Sequence, residues 1–190
     1  MTRVIAGTHR GRRIHTPKGS ATRPTSERSR EALFSALVAR GALDGARVLD
    51  LYAGSGALGI EALSRGAASA TLVDTDRGAV AAMRRTVADL RLSQVTVQQR
   101  DVRAYLRGVP REHDLVFIDP PYDVGEEVIE EVLALLARHW LAGEALVVVE
   151  RSARSPEPTW PLRLELAQAR NYGETAIWIA AVRDDEAPAQ

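Results

Sequence analysis

From residue 46 onward, short apolar runs alternate with longer segments whose apolar residues recur at helical spacing. Arg47-Val48-Leu49-Asp50-Leu51 reads as a strand, 56–66 as a helix closed by Gly66, and Ala70-Thr71-Leu72-Val73-Asp74 as the next strand. An Ala- and Arg-rich helix is predicted over 77–91, a third strand at Val95-Thr96-Val97 and a brief helix at 102–107. Asp114–Ile118 is a fourth strand, 125–139 a helix and Ala145–Val149 a fifth strand. Apolar strands set between helices predict a parallel sheet covered on both faces. The pattern then changes, because Leu162–Ala169 and Thr175–Val182 are strand-like runs joined directly by residues 170–174. They form an antiparallel hairpin. The expected fold class is α/β, with a mostly parallel seven-stranded sheet ending in that hairpin.

The residues before this alternation behave differently. Two extended stretches at 3–6 and 12–16 flank Gly7-Thr8-His9-Arg10-Gly11, which fits the turn of a small β-hairpin. Pro24-Thr25-Ser26 then opens a helix over about 26–40, with Gly41 just beyond its end. The chain therefore divides into an arm and helix at 1–40, a main domain at 41–183 and a polar tail at 184–190.

Charge sharpens that division. The net charge is zero, yet residues 1–40 hold nine Lys/Arg against Glu27 and Glu31, leaving +7 on this segment and −7 on the rest. A basic arm on an acidic body reads as a contact for a polyanion, with nucleic acid the first candidate. The candidate contacts are Arg10, Arg12, Arg13, Lys18, Arg23, Arg28 and Arg30. The chain has 190 residues, 45% of them apolar, enough for a full core without staples. It has no cysteine, which excludes disulfides, thiolate metal sites and a cysteine nucleophile. The four histidines form no ligand set by spacing, so no metal is expected. No apolar run is long enough to span a membrane and no signal-peptide pattern opens the chain, so a cytoplasmic location with no membrane partner is expected.

The first candidate chemistry follows the first strand. Asp50-Leu51-Tyr52-Ala53-Gly54-Ser55-Gly56-Ala57-Leu58-Gly59 contains G-x-G-x-x-G, and Asp74 closes the second strand. Glycines there let a backbone approach a nucleotide, and the carboxylate can take a ribose diol. Asp50 precedes Gly54 by four residues, where its carboxylate could face whatever the loop holds, and a pyrophosphate would be repelled. S-adenosylmethionine carries a sulfonium and an ammonium but no phosphate, so acidic neighbours suit it. Asp101, just after the third strand, adds a further carboxylate at the same expected sheet edge, although taken alone it also suits a helix N-cap. The cofactor-binding candidates are Asp50, Tyr52, Ala53, Gly54, Ser55, Gly56, Asp74, Thr75, Asp101 and Val102.

The fourth strand runs into Asp119-Pro120-Pro121-Tyr122, the catalytic candidates. Two prolines fix φ and remove two backbone donors, so the corner is stiff and offers acceptors. The lone pair of a nucleobase amino group is delocalised into its ring. If Asp119 and the Pro120 carbonyl accept its two hydrogens, that lone pair can be aimed at an electrophilic methyl, with Tyr122 stacked on the base.

These marks together resemble a class I S-adenosylmethionine-dependent methyltransferase acting on an exocyclic amino nitrogen, with the Rossmann-like fold of that class. More narrowly, the chain resembles the RsmD family of 16S rRNA guanine-N2 methyltransferases, through Ile5-Ala6-Gly7-x-x-Arg10-Gly11-Arg12-Arg13 and Arg23-Pro24-Thr25-x-x-Arg28-x-Arg30-Glu31-x-Leu33-Phe34. The resemblance implies methylation of guanine 966, in customary rRNA numbering, within the small ribosomal subunit or its assembly intermediate, with S-adenosylhomocysteine as product. It also places Asp50 and the Gly54/Gly56 loop against the methionine part, Asp74 against the ribose and Asp101 against the adenine. Tyr122 and Asp74 stand where many relatives have Phe and Glu, substitutions that keep the stacking and the diol acceptor. A DNA adenine-N6 or other amino-methyltransferase shares the corner, and a non-catalytic RNA-binding assembly protein would keep only the arm. An NAD-linked oxidoreductase would leave Asp-Pro-Pro-Tyr without a task.

Overall fold

The computed structural model describes residues 2–17 and 27–183. Lys18, Arg23, the helix opening at Pro24-Thr25-Ser26 and the tail at 184–190 lie outside the described residues.

Two short strands, β1 (Thr2–Arg3) and β2 (Arg13–Ile14), form an antiparallel pair, and α1 (Glu27–Ala39) follows. The alternating part comprises β3 (Arg47–Leu51), α2 (Ala57–Ser64), β4 (Ser69–Asp74), α3 (Arg77–Leu90), β5 (Val95–Gln99), α4 (Val102–Leu106), β6 (His113–Ile118), α5 (Glu126–His139) and β7 (Leu141–Ser152). The chain ends with β8 (Leu164–Tyr172) and β9 (Thr175–Val182). The seven-stranded sheet has the order β5-β4-β3-β6-β7-β9-β8, with β9 antiparallel to both neighbours and the other pairs parallel.

Local chemistry sets the boundaries. Asp76 and Asp101 cap α3 and α4 by accepting from the amides of Ala79 and Ala104, at 2.7 and 2.9 Å. Helix α5 opens with Glu126 and Glu127 and closes with Arg138 and His139, each matching the local end of the helix dipole. Gly173, at φ +61°, takes the first place of the two-residue β8–β9 turn, where a type II′ geometry requires glycine.

One expected element changes markedly. Strand β7 is far longer than Ala145–Val149, because pairing of Leu141 with His113 carries it through Ala142-Gly143-Glu144, and a register shift in β6 follows. Residues of the arm and its helix pack onto the body. Val4, Ile14, Leu33, Phe34 and Leu37 are buried in one cluster with Val48, Phe117 and Ile179, on the face that carries α2 and α3. The other face buries α4 and α5 through Val102, Leu106, Ile129 and Val132.

Candidate active site

Because β3, β4, β5 and β6 run parallel, their C-terminal ends share one edge of the sheet, with Leu51 level with Val73 and Ile118, and Asp74 with Gln99. That edge carries the glycine loop, Asp74, Asp101 and the Asp-Pro-Pro-Tyr corner.

The loop between β3 and α2 is wound through three left-handed residues, Tyr52 (φ +59°), Gly54 (φ +55°) and Gly56 (φ +75°). Tyr52 bears the strain of that conformation without being glycine. Its half-buried ring packs on the α4/α5 side, and burial pushes its hydroxyl pKa up. The loop is tied at several points: Ala53 N–H donates to Val73 O at 3.0 Å and Gly56 N–H to Ala53 O at 2.7 Å. Asp74 anchors it further, accepting from Gly54 N–H through one oxygen and from Asp76 N–H through the other, both at 2.8 Å. Thr75, between them, is exposed.

The three glycines have different reasons to be glycine. A Cβ on Gly59 would lie 2.4 Å from a Leu72 methyl, and one on Gly56 would lie 2.9 Å from the other, so both serve the packing of α2 on β4. A Cβ on Gly54 would meet nothing closer than Tyr52 O at 4.0 Å. Gly54 therefore presents bare backbone to open space, as a loop that receives a ligand must.

Asp50 departs from its expected placement. It is 1% exposed and lies beneath the loop, accepting from Gly59 N–H at 2.9 Å. Burial pushes its pKa up to about 8, against the opposing effect of that hydrogen bond, with the nearby Asp74 charge adding to the rise. At neutral pH its carboxyl is mainly neutral, and its task in this state is to hold the start of α2. Asp101 is an exposed N-cap beside the buried Val102. Ala53 and Ser55 are half-buried in the loop. The residues present fit an adenosyl cofactor: carboxylates line the edge, Gly54 leaves room before the loop, and Asp74 closes β4 while Asp101 follows the end of the adjacent β5.

The corner after β6 combines a half-buried Asp119 and a buried Pro120 with an exposed Pro121 and a Tyr122 ring that is 57% exposed. Val124 N–H donates to Pro121 O at 3.2 Å, closing the turn. One residue missed by the sequence reading braces this turn. Arg151, at the end of β7 and 5% exposed, donates from Nη2 to Val124 O and to Glu126 Oε1, both at 2.8 Å. The available signal was a charged pair, Glu150-Arg151, closing the Val147-Val148-Val149 run.

The arm residues separate. Arg10, Arg12, Arg13 and Arg28 are exposed, whereas Arg30 is 4% exposed and donates to the Arg3 carbonyl at 2.5 Å, with burial lowering its pKa. Arg30 thus holds the hairpin in place and is not available to an external polyanion. Glu61 and Ser64 complete the anchorage and were also missed. The fully buried Glu61 accepts from the amides of Ile5 and Ala6 and from Arg65 Nε, at 2.8, 3.0 and 2.8 Å. Ser64 Oγ accepts from His9 N–H at 2.9 Å, and a Cβ on Gly7 would come within 1.7 Å of Ser64 O. A fully buried glutamate needs such partners, and its place inside an Ala- and Leu-rich helix was the available clue. Among the described residues, no group of side chains could hold a metal ion and no helix is long and apolar enough to cross a membrane.

Comparison with known proteins agrees with this geometry. The family model described as conserved hypothetical protein 95 matches residues 2–181. The ribosomal RNA small subunit methyltransferase D of Escherichia coli (strain K12) is 38% identical over 175 residues, covering 92% of this chain and 86% of that one. The protein of the same name in Haemophilus influenzae is 33% identical over 159 residues, covering 81% and 80%. The solved structure of the Escherichia coli protein yhhF superposes with a TM-score of 0.84 at 37% identity, covering 95% of this chain and 97% of that one.

Proposed function

The chain belongs to the family described as conserved hypothetical protein 95, the RsmD family, and on that premise we propose that it transfers a methyl group from S-adenosylmethionine to the exocyclic N2 of a guanine in small-subunit ribosomal RNA. The enzyme class and the rRNA substrate rest on the relatives, and guanine 966 on the family resemblance. The observation that carries the chemistry is the juxtaposition, on one sheet edge, of a ligand-receiving glycine loop with a stiff, acceptor-only corner.

S-adenosylmethionine, when bound, supplies an electrophilic sulfonium methyl and leaves as S-adenosylhomocysteine. The backbone at Gly54 and the carboxylates of Asp74 and Asp101 hold the cofactor, the first two against its methionine and ribose and the third beside its adenine. Tyr52, Ala53, Ser55, Gly56, Thr75 and Val102 shape the same cradle. Asp50 supports the loop from below, and an ammonium group above it favours the ionised carboxylate. At the corner, the Asp119 carboxylate and the Pro120 carbonyl accept the two hydrogens of the guanine amino group and aim its lone pair, while Tyr122 stacks on a base turned out of its helix. No strong base is required, because the amino proton becomes acidic once the new N–C bond forms. Asp119 is the acceptor placed to take it. Arg10, Arg12, Arg13 and Arg28, with Lys18 and Arg23 of the arm, contact phosphates of the small-subunit RNA.

Two titrations test the reading. Calorimetry should detect binding of S-adenosylmethionine and none of NAD. Replacing Arg10, Arg12 and Arg13 together with Ala should weaken RNA binding and flatten its salt dependence by about two to three log units per log unit of salt, since each phosphate contact contributes about 0.7–0.9. Cofactor affinity should not change. An NAD-binding protein, or an arm variant with unaltered salt response, would contradict the proposal.

A further inference from the structure

The acidic character of the body is not spread evenly over it. Residues 77–111 hold eight arginines against only Asp89 and Asp101, a net +6, while residues 112–140 hold eight carboxylates against Arg138 alone, a net −7, and residues 141–183 are neutral. The fold turns this division along the chain into a division in space. Residues 77–111 build α3, β5 and α4 at the β5 end of the sheet, and the acidic stretch at 112–140 builds β6, the corner after it and α5.

The basic end adjoins the arm. His15 N–H donates to Thr86 Oγ1 at 2.9 Å and the His15 ring meets Asp89 at 2.7 Å, so the hairpin lies along α3. Pro17 reaches the start of the same helix, 3.5 Å from where a Cβ on Gly78 would stand. Arg85 and the hairpin's Arg12 both act on the Asp89 carboxylate, which places them on one surface. Helix α3 runs back across the sheet from the cofactor edge, so Arg77 stands at that edge, Arg84 and Arg85 beside the hairpin, and Arg91 at the far end. Arg85 and Arg77 are eight residues apart, about 12 Å along the helix. Arg100 follows β5 and donates its N–H to Asp74 O at 3.0 Å, which brings a second arginine to the same edge. All five are exposed, and none forms an ion pair among the described residues.

Isolated surface arginines are commonly solvated or locally paired. Five unpaired ones on one flank, continuous with a basic hairpin and ending beside the cofactor loop, form a charged track. We propose that Arg77, Arg84, Arg85, Arg91 and Arg100 form a second RNA-contact surface that takes the phosphate backbone of the substrate from the arm to the active-site edge. The inference rests on the rRNA reading above. Its partner is RNA backbone and not bases, because the track is built of guanidinium groups and the exposed aromatic ring, Tyr122, stands at the corner where the base is bound.

The test is the double variant Arg84→Gln/Arg85→Gln, set beside Arg138→Gln/Arg183→Gln, two exposed arginines outside this flank. Affinity of the full chain for a small-subunit RNA fragment is measured from low to moderate salt, together with cofactor affinity and methyl transfer at saturating RNA. For the flank variant the salt slope should flatten by about 1.4–1.8 log units per log unit of salt, two contacts' worth. Cofactor affinity and turnover at saturation should match wild type, and the control variant should keep the wild-type slope. An unchanged slope in the flank variant overturns the proposal and leaves the flank to an acidic protein surface. Equal loss in both variants also overturns it, since net charge alone would then account for the effect. Wild-type protein without salt-dependent RNA binding would overturn both this proposal and the rRNA reading, whereas an unchanged flank variant overturns this proposal alone.

Discussion

The glycine loop and the Asp-Pro-Pro-Tyr corner sit on the same sheet edge but are held by opposite means. The loop is over-determined by internal hydrogen bonds: Asp74 takes two amides, Asp50 takes a third, and Gly56 and Gly59 are forced by the closeness of Leu72. The corner owes its stiffness to two proline rings and one buried guanidinium, that of Arg151, and it leaves Tyr122 outside. A carboxylate in the first region is part of the scaffold as well as a proposed ligand group, while the corner's acceptors are proposed to serve the chemistry. Substitutions in the two regions should therefore fail differently.

The largest effect belongs to the corner. Asp119→Ala should cut methyl transfer by roughly 10²-fold or more while cofactor affinity and folding stability stay near wild type, the scale of a lost positioning and polar contact. Single-turnover transfer beside calorimetric cofactor binding checks this, and near-normal turnover removes Asp119 from the mechanism. In the loop, Asp74→Ala should weaken cofactor binding by about 1.5–3 kcal/mol, as for a lost hydrogen bond to a charged acceptor. It should also lower stability, because the amides of Gly54 and Asp76 lose their partner. A variant with weaker binding and unaltered stability would show that the ties seen here carry no weight.

Gly59→Ala should cost about 1–3 kcal/mol of stability by overpacking against Leu72, measured by denaturant unfolding, with no direct effect on chemistry. The remaining effect is a slope. Asp50 has a folded pKa of about 8, above its ordinary value near 3.8, so the folded state holds a proton that the unfolded chain releases. Its contribution is complete below the unfolded pKa and is lost as pH rises through about 8. Asp50→Asn should flatten the decline in unfolding free energy between those limits, relative to wild type. Parallel pH profiles for the two proteins would contradict the burial argument.

The order of elements, the parallel sheet and the terminal hairpin were legible because periodicity and glycine punctuation report them locally. What escaped depended on neighbours distant in sequence. Arg30 belonged to a charged run by composition, yet a carbonyl 27 residues away turned it inward. Asp50 matched a ligand-facing position, but Gly59 of the next helix bonded it from above. Strand β7 passed through Gly143 because His113 and Leu141 pair across the sheet. The basic flank was hidden by an average, since a body at −7 concealed a stretch at +6 over 77–111 beside one at −7 over 112–140. The proline part of the corner's stiffness was legible, because it belongs to the covalent structure of Asp119-Pro120-Pro121-Tyr122, whereas the brace from Arg151 was not.

The most direct test of the central claim, that this edge methylates a guanine amino group in RNA, is transfer of labelled methyl from S-adenosylmethionine. Small ribosomal subunits, naked small-subunit rRNA and DNA serve as acceptors, followed by nucleoside analysis. The account predicts label in N2-methylguanosine from the RNA substrates and none in DNA. Label in N6-methyladenine of DNA, or no transfer to any acceptor despite cofactor binding, would contradict it.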